Sequence, residues 1–241
     1  MGQKWLMKST PNLWPIDQEK KAEANDFLNN KIYFNKQILR RKNWLKNNPD
    51  KKADYEWNSI VKKKFGNKNF KKIRLAYNFS KNVFYSHPGL SSNIYFYHPL
   101  RVCLLSTKIF TKFSSELMIL CLLHNIFETT DIDQSIISKI FGKKITNQLL
   151  ILTVDRKNEW KKNYKKKYYS HISKSNKNVM ITKVLDKLDN LYLLKENKNS
   201  QIKKRYLKEI DDFIMPIIKE KLGNLNLYLY FQYLIKFSRG K

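Results

Sequence analysis

Apolar residues recur at helical spacing along nearly the whole chain, and nowhere do they alternate with polar ones long enough to build a sheet. No repeat of fixed period appears. A chain patterned this way buries its apolar stripes helix against helix, so the fold class is all-α, a helical bundle. The first fifteen residues, with Pro11 and Pro15, read as an extended arm. Helices are expected at about 16–29, 31–47 and 52–65, the last closed by Gly66. From Asn69 the character changes. A helix through Ile73, Ala76, Tyr77 and Val83 ends at Ser86-His87-Pro88-Gly89. One runs from Pro99 to Phe113, with proline at its first position, and the next, capped by Ser114 or Ser115, carries Leu117 to Thr130. A short helix ending at Phe141-Gly142, another over Lys143–Thr153, a lysine-rich arm, a long helix at 176–197 and two last ones at 200–221 and 225–237 complete the reading. The expected division is a basic helical extension at 1–68, one domain at 69–222, and a C-terminal helix at 223–241 packed on it.

At 42% hydrophobic and 14% aromatic residues this is a folding chain, not a disordered tail. Its most apolar run, Leu117 to Phe127, is too short for a membrane span and contains Cys121, His124 and Asn125. The N-terminus has no signal-peptide pattern, and Leu6 stands where myristoylation requires Ser or Thr. The expectation is a cytoplasmic protein with no membrane partner. Cys103 and Cys121 lie among apolar neighbours and read as buried thiols of a reducing compartment. The formal charge is +28. Residues 1–72 hold 18 Lys/Arg against 7 Asp/Glu, a net of +11, and residues 156–177 hold 9 against 1, a net of +8. Such a balance invites nucleic acid. The crowding of Lys, Asn and Ile, however, is what an AT-rich coding sequence produces without any selection for charge. The aromatics of the basic helices, Trp44, Tyr55 and Trp57, are expected to pack the extension onto the rest rather than to stack on bases.

Four positions carry the chemistry: His98, the pair His124-Asn125, and Asp186. Only four histidines exist, and two fall here. A lone histidine on an apolar helix is usually a satisfied core residue. Here Asn125 sits beside His124, and Glu128 follows at i+4 on the same face. Polar groups so placed are costly to bury without a ligand or a network. Asp186 and Asn190 repeat the pattern within Val184-Leu185-Asp186-Lys187-Leu188-Asp189-Asn190-Leu191. Imidazole and carboxylate ligands on separate helices suit a divalent first-row metal such as Mn²⁺, Fe²⁺ or Zn²⁺.

These residues resemble the pattern of the HD superfamily, and most closely that of the RelA/SpoT-like (p)ppGpp hydrolase domain in its small single-domain form. Tyr97-His98-Pro99-Leu100-Arg101-Val102 is similar to the family's "HP-xx-VA" helix start, and Leu122-Leu123-His124-Asn125-Ile126-Phe127-Glu128-Thr129-Thr130 to "LLHDxxEDT". Ile140-Phe141-Gly142-Lys143-Lys144-Ile145 is similar to "FGxxV", and Leu152-Thr153-Val154-Asp155 stands at "VTK/VTD". Lys183 to Leu191 is similar to "KLADRLHNL". The five motifs come in family order over about residues 72–197. The resemblance implies metal ligation by His98, His124, Asn125 and Asp186, with Mn²⁺ as the first choice. It implies catalysis at Glu128 and Thr129, with Glu128 activating water. It also implies nucleotide contacts by Asn190, Lys187, Thr153 and Lys81. The substrate would be a small nucleotide or related phosphate compound, and the lysines from Lys161 to Lys167 would screen its charge.

The chain departs from the pattern at Asn125, where the family has Asp, at Thr129, where it has a second acid, and in the nearly uncharged loop His87-Pro88-Gly89-Leu90-Ser91-Ser92, where it has basic residues. A neutral amide holds a metal more weakly than a carboxylate. The departures weigh against the alarmone itself as substrate. Three readings follow: an active metal-dependent phosphohydrolase; a catalytically weakened, nucleotide-binding regulatory domain; and, last, a basic nucleic-acid-binding protein supported by charge alone. Oligomeric state is open at this level.

Overall fold

A computed structural model describes residues 31–240, all helix, turn and loop; the arm and first helix expected at 1–29 lie outside the described residues. The chain begins with α1 (Lys31–Leu45), α2 (Lys51–Lys64) and α3 (Asn67–Asn82). A single turn, α4 (Ser92–Tyr95), leads into α5 (Tyr97–Ile109) and α6 (Ser115–Leu123). The short α7 (Ile126–Thr129), α8 (Gln134–Phe141), α9 (Lys143–Leu152), α10 (Lys162–Lys174) and α11 (Lys177–Leu191) follow. A 3₁₀ turn at Leu194–Glu196 precedes α12 (Ser200–Glu209), π-helical turns at Ile210–Ile214 and Ile217–Leu222, and α13 (Leu225–Ser238).

The centre is α6, started by Ser114, whose hydroxyl accepts the Leu117 N–H at 3.1 Å. Every residue from Leu117 to Leu123 is buried, so this helix is apolar all round and is enclosed rather than laid on a surface. It packs against α3, α5, α9 and α11. Between α8 and α9, Gly142 takes φ 89° and ψ 157°, a conformation open to glycine alone, and so turns one helix directly into the next. Gly223, at φ 59°, does the same service before α13.

α1 buries Phe34, Gln37, Arg41 and Trp44, a stripe spaced by three and four residues. Phe34 meets the rings of Tyr192, Tyr233 and Phe237, while the Trp44 indole N–H donates to the Ile94 carbonyl at 2.6 Å. Trp57 stacks on Tyr77 with centroids 4.8 Å apart. Tyr55, expected to pack with these two, is 75% exposed and does not. Cys103 and Cys121 are buried on α5 and α6 as unpaired thiols, bonded weakly to the Met118 carbonyl and the Thr182 hydroxyl at 3.6 Å. No helix among the described residues is long and apolar enough to cross a membrane.

Two expected elements are corrected. The helix read as continuous from Leu117 to Thr130 breaks at His124-Asn125, where Asn125 leaves helical geometry (φ −100°, ψ 6°) before α7 begins. The lysine-rich arm after Thr153 is largely α10, a helix held down by buried Tyr168, Tyr169 and Ile172.

Candidate metal centre

Three helices bring the site together. α5 presents His98 in its first turn, α6 ends on His124, and α11 presents Lys183, Asp186, Asp189 and Asn190 over two turns. One ligand atom each from His98, His124 and Asp186 fits within 4.8 Å of the others, and all three residues are buried. Nε2 of His98 and Nε2 of His124 stand 3.2 Å apart, and Asp186 Oδ1 lies 3.4 and 3.7 Å from them.

The far side of each imidazole shows what the near side offers. His124 Nδ1 lies 2.7 Å from the Cys121 carbonyl, which can only accept, so Nδ1 carries the proton and Nε2 a lone pair. His98 Nδ1 donates to Asp189 Oδ2 at 2.9 Å, which assigns its lone pair to Nε2 as well. Two nitrogen lone pairs and a carboxylate oxygen thus face one point. They repel one another unless a proton or a cation sits among them, and the donor set is one that a divalent first-row ion accepts. Burial works against charge on His98, yet the carboxylates of Asp186 and Asp189 raise its pKa, so without an ion a second proton on Nε2, facing Asp186, relieves the repulsion.

Asp186 keeps its charge. Burial opposes ionisation, but Lys183 and then the two histidines hold the carboxyl well below the usual range. Lys183 Nζ reaches Oδ2 at 3.0 Å and lies over the Tyr168 ring; burial pulls its pKa down, and Asp186 more than restores it. Asp189 is likewise ionised against burial, by Arg101, Arg41 and His98.

The other sequence candidates are placed as follows. Asn125 is buried beside His124, its amide N–H donating to the Tyr95 hydroxyl at 2.7 Å. Glu128, its side chain 2% exposed, accepts the Val154 N–H on Oε1 at 2.8 Å and pairs with Arg156 through Oε2 at 2.8 Å. Because the helix breaks at His124-Asn125, this carboxylate is not carried on one helical face with His124. The Thr129 hydroxyl donates to the Asn125 carbonyl at 2.8 Å. Asn190 Nδ2 donates to Asp186 Oδ1 at 2.9 Å. Lys187 pairs with Glu209 at 2.7 Å, and the Thr153 hydroxyl closes the end of α9 on the Leu149 carbonyl at 2.8 Å. Lys81 contacts the Tyr77 hydroxyl at 3.4 Å and Asp54 at 4.0 Å, on the side of α2 and α3.

Sequence reasoning missed Lys183, Asp189, Arg101, Arg41 and Arg156. Arg101 was findable, since a charge inside Leu100-Arg101-Val102-Cys103-Leu104-Leu105 has to meet a partner. Arg41 was not, because its partner is 148 residues away.

An enclosed central helix with a His–His–Asp cluster at its end defines this all-α helical bundle. No known family's model and no characterised protein's sequence matches the chain. Solved structures do resemble it. One is a metazoan orthologue of SpoT, described as hydrolysing ppGpp and playing a role in starvation responses, with 21% identity and a TM-score of 0.55 over 73% of this chain and 97% of that one. That likeness establishes the fold.

Proposed function

We propose that the chain is a metal-dependent phosphohydrolase acting on a nucleotide or a related phosphate compound of the ppGpp kind. The observation that carries this reading is the convergence of two imidazole nitrogens and one carboxylate oxygen among buried residues. The structural likeness to a ppGpp hydrolase supports the choice of substrate class. His98, His124 and Asp186 would hold the ion, Mn²⁺ before Fe²⁺ or Zn²⁺, with the amide oxygen of Asn125 as a weak further donor. Such an ion supplies Lewis acidity and lowers the pKa of water. Glu128 is the base that takes the water's proton, and Thr129 fixes the turn on which Glu128 is carried. Asn190 and Lys187 are the nucleotide contacts on α11, and the exposed Lys166 and Lys167 of α10 screen the phosphate charge. Thr153 and Lys81 would complete that contact set, and all four contact residues would have to leave their present partners to do so.

The test is the metal content of the purified full chain, with phosphate or pyrophosphate release measured across a nucleotide panel in Mn²⁺. Retained divalent metal and release from a nucleotide polyphosphate are expected. Neither metal nor release under any divalent ion would refute the reading. One observation favours a second reading, a nucleotide-binding regulatory domain: both oxygens of Glu128 are already engaged, by Val154 and Arg156. Nucleotide binding without turnover would decide for it.

A further inference from the structure

We propose that Asp189 is a positioning residue of the metal centre, and that α1 holds it in place through Arg41. The inference rests on the metal-binding reading of His98, His124 and Asp186. The Asp189 side chain is 1% exposed, and its carboxylate receives three side chains at once. His98 Nδ1 donates to Oδ2 at 2.9 Å; Arg101 reaches Oδ1 through Nε at 3.1 Å and Oδ2 through Nη2 at 2.9 Å; Arg41 Nη2 takes Oδ1. Arg41 Nε also donates to the Asp189 backbone carbonyl at 3.3 Å.

Two guanidinium groups are more than one carboxylate needs for neutrality, and the group of three carries a net +1. What the second arginine adds is geometry. Planar forks from both sides leave the carboxylate no freedom to rotate, so one lone pair is permanently aimed at His98 Nδ1–H. That fixes the tautomer and the ring plane, and makes Nε2 a stronger donor. The forks are themselves anchored from α1. Arg41 Nη1 is tied to Gln37 at 3.0 Å (carbonyl) and 2.7 Å (Oε1), and its guanidinium lies 4.2 Å from the Tyr192 ring centroid. The Arg101 guanidinium lies 4.5 Å from the Trp44 ring centroid. The helix that the sequence assigns to a basic extension therefore belongs to the metal centre.

A purely structural ion cluster would shift stability alone, so two further readouts are needed. In metal-free wild-type protein, ¹⁵N-detected NMR should show an exchange-protected, downfield His98 Nδ1–H proton, assigned by its loss in His98→Gln. By calorimetry with Co²⁺, Asp189→Asn and Arg41→Lys should bind the ion roughly ten- to a hundredfold more weakly. At least Arg41→Lys, which keeps the charge, should do so with little change in melting temperature. If Asp189→Asn does not fold, Arg41→Gln/Asp189→Asn removes a cation with the anion, keeps the net +1, and should show the same weakening. The proposal is overturned if the Nδ1–H signal is missing from the wild type, or if a folded Asp189 variant binds Co²⁺ as tightly as wild type. If the wild type binds no divalent ion at all, the metal reading fails, while the NMR signal still decides whether Asp189 fixes the tautomer.

Discussion

Asn125 stands as a neutral residue beside the His98–His124–Asp186 cluster, where the proposed metal site would gain from a charge. The residue is buried next to His124 and spends its N–H on the Tyr95 hydroxyl. A carboxylate there would accept from the same hydroxyl, so Asn125→Asp should be tolerated and should tighten Mn²⁺ binding by roughly tenfold, since ligand charge count sets affinity. Calorimetry showing no gain would remove Asn125 from the ligand set. Glu128 is the second residue on which the proposed chemistry turns. Glu128→Gln keeps the size, and as an amide still accepts the Val154 N–H, but loses its basicity and its ion pair with Arg156. Turnover should fall by roughly a hundredfold with metal affinity unchanged. Wild-type turnover in this variant would mean the proton goes elsewhere.

At the scale of elements, the cluster itself was legible: polar residues on apolar helices have to be satisfied together, and His98, His124 and Asp186 meet. The break after Leu123 was not, because no glycine or proline marks it. The run Leu122-Leu123-His124-Asn125-Ile126-Phe127 carries apolar residues on both sides of the junction, as a continuous helix would. α10 was hidden by its lysines, although Tyr168, Tyr169 and Ile172 carry the buried stripe. Its docking to α12 is an ion cluster, with Lys165 of α10 and Lys187 of α11 on Glu209, and the Tyr169 hydroxyl at 2.6 Å. Burial pushes the Glu209 carboxyl up, but Lys187, Lys165 and Tyr169 outweigh it and hold the pKa at about 2 against an ordinary 4.5. A folded-state pKa below the unfolded one stabilises at pH above 4.5, and that stabilisation is lost as pH falls toward 2. Its size is about 3 kcal/mol. Glu209→Gln should therefore unfold at lower denaturant than wild type at pH 7, with the gap closing as pH falls toward 2. A gap independent of pH would show that Glu209 does not act through its charge.

For the molecule as a whole, the formal +28 is the property most easily misread. Much of it lies on solvated lysines, so nucleic acid should bind only weakly, without sequence preference, and with affinity falling steeply between 50 and 200 mM salt, by about a thousandfold or more if six to ten phosphates are contacted. Anisotropy titrations on two unrelated duplexes would check this; tight, selective binding at physiological salt would reinstate the nucleic-acid reading. The two enclosed thiols offer a different kind of access to the same molecule. Burial raises Cys103 well above the ordinary thiol range and Cys121 to about 12, so neither reacts while the bundle is closed. Alkylation then counts opening events, as a clock that ticks only when α5 and α6 part. Any ligand that binds the closed form alone must slow that clock by the factor 1 + [L]/Kd. Labelling rates of these cysteines would thus rank metals and nucleotides by affinity on a chain whose turnover need never be seen.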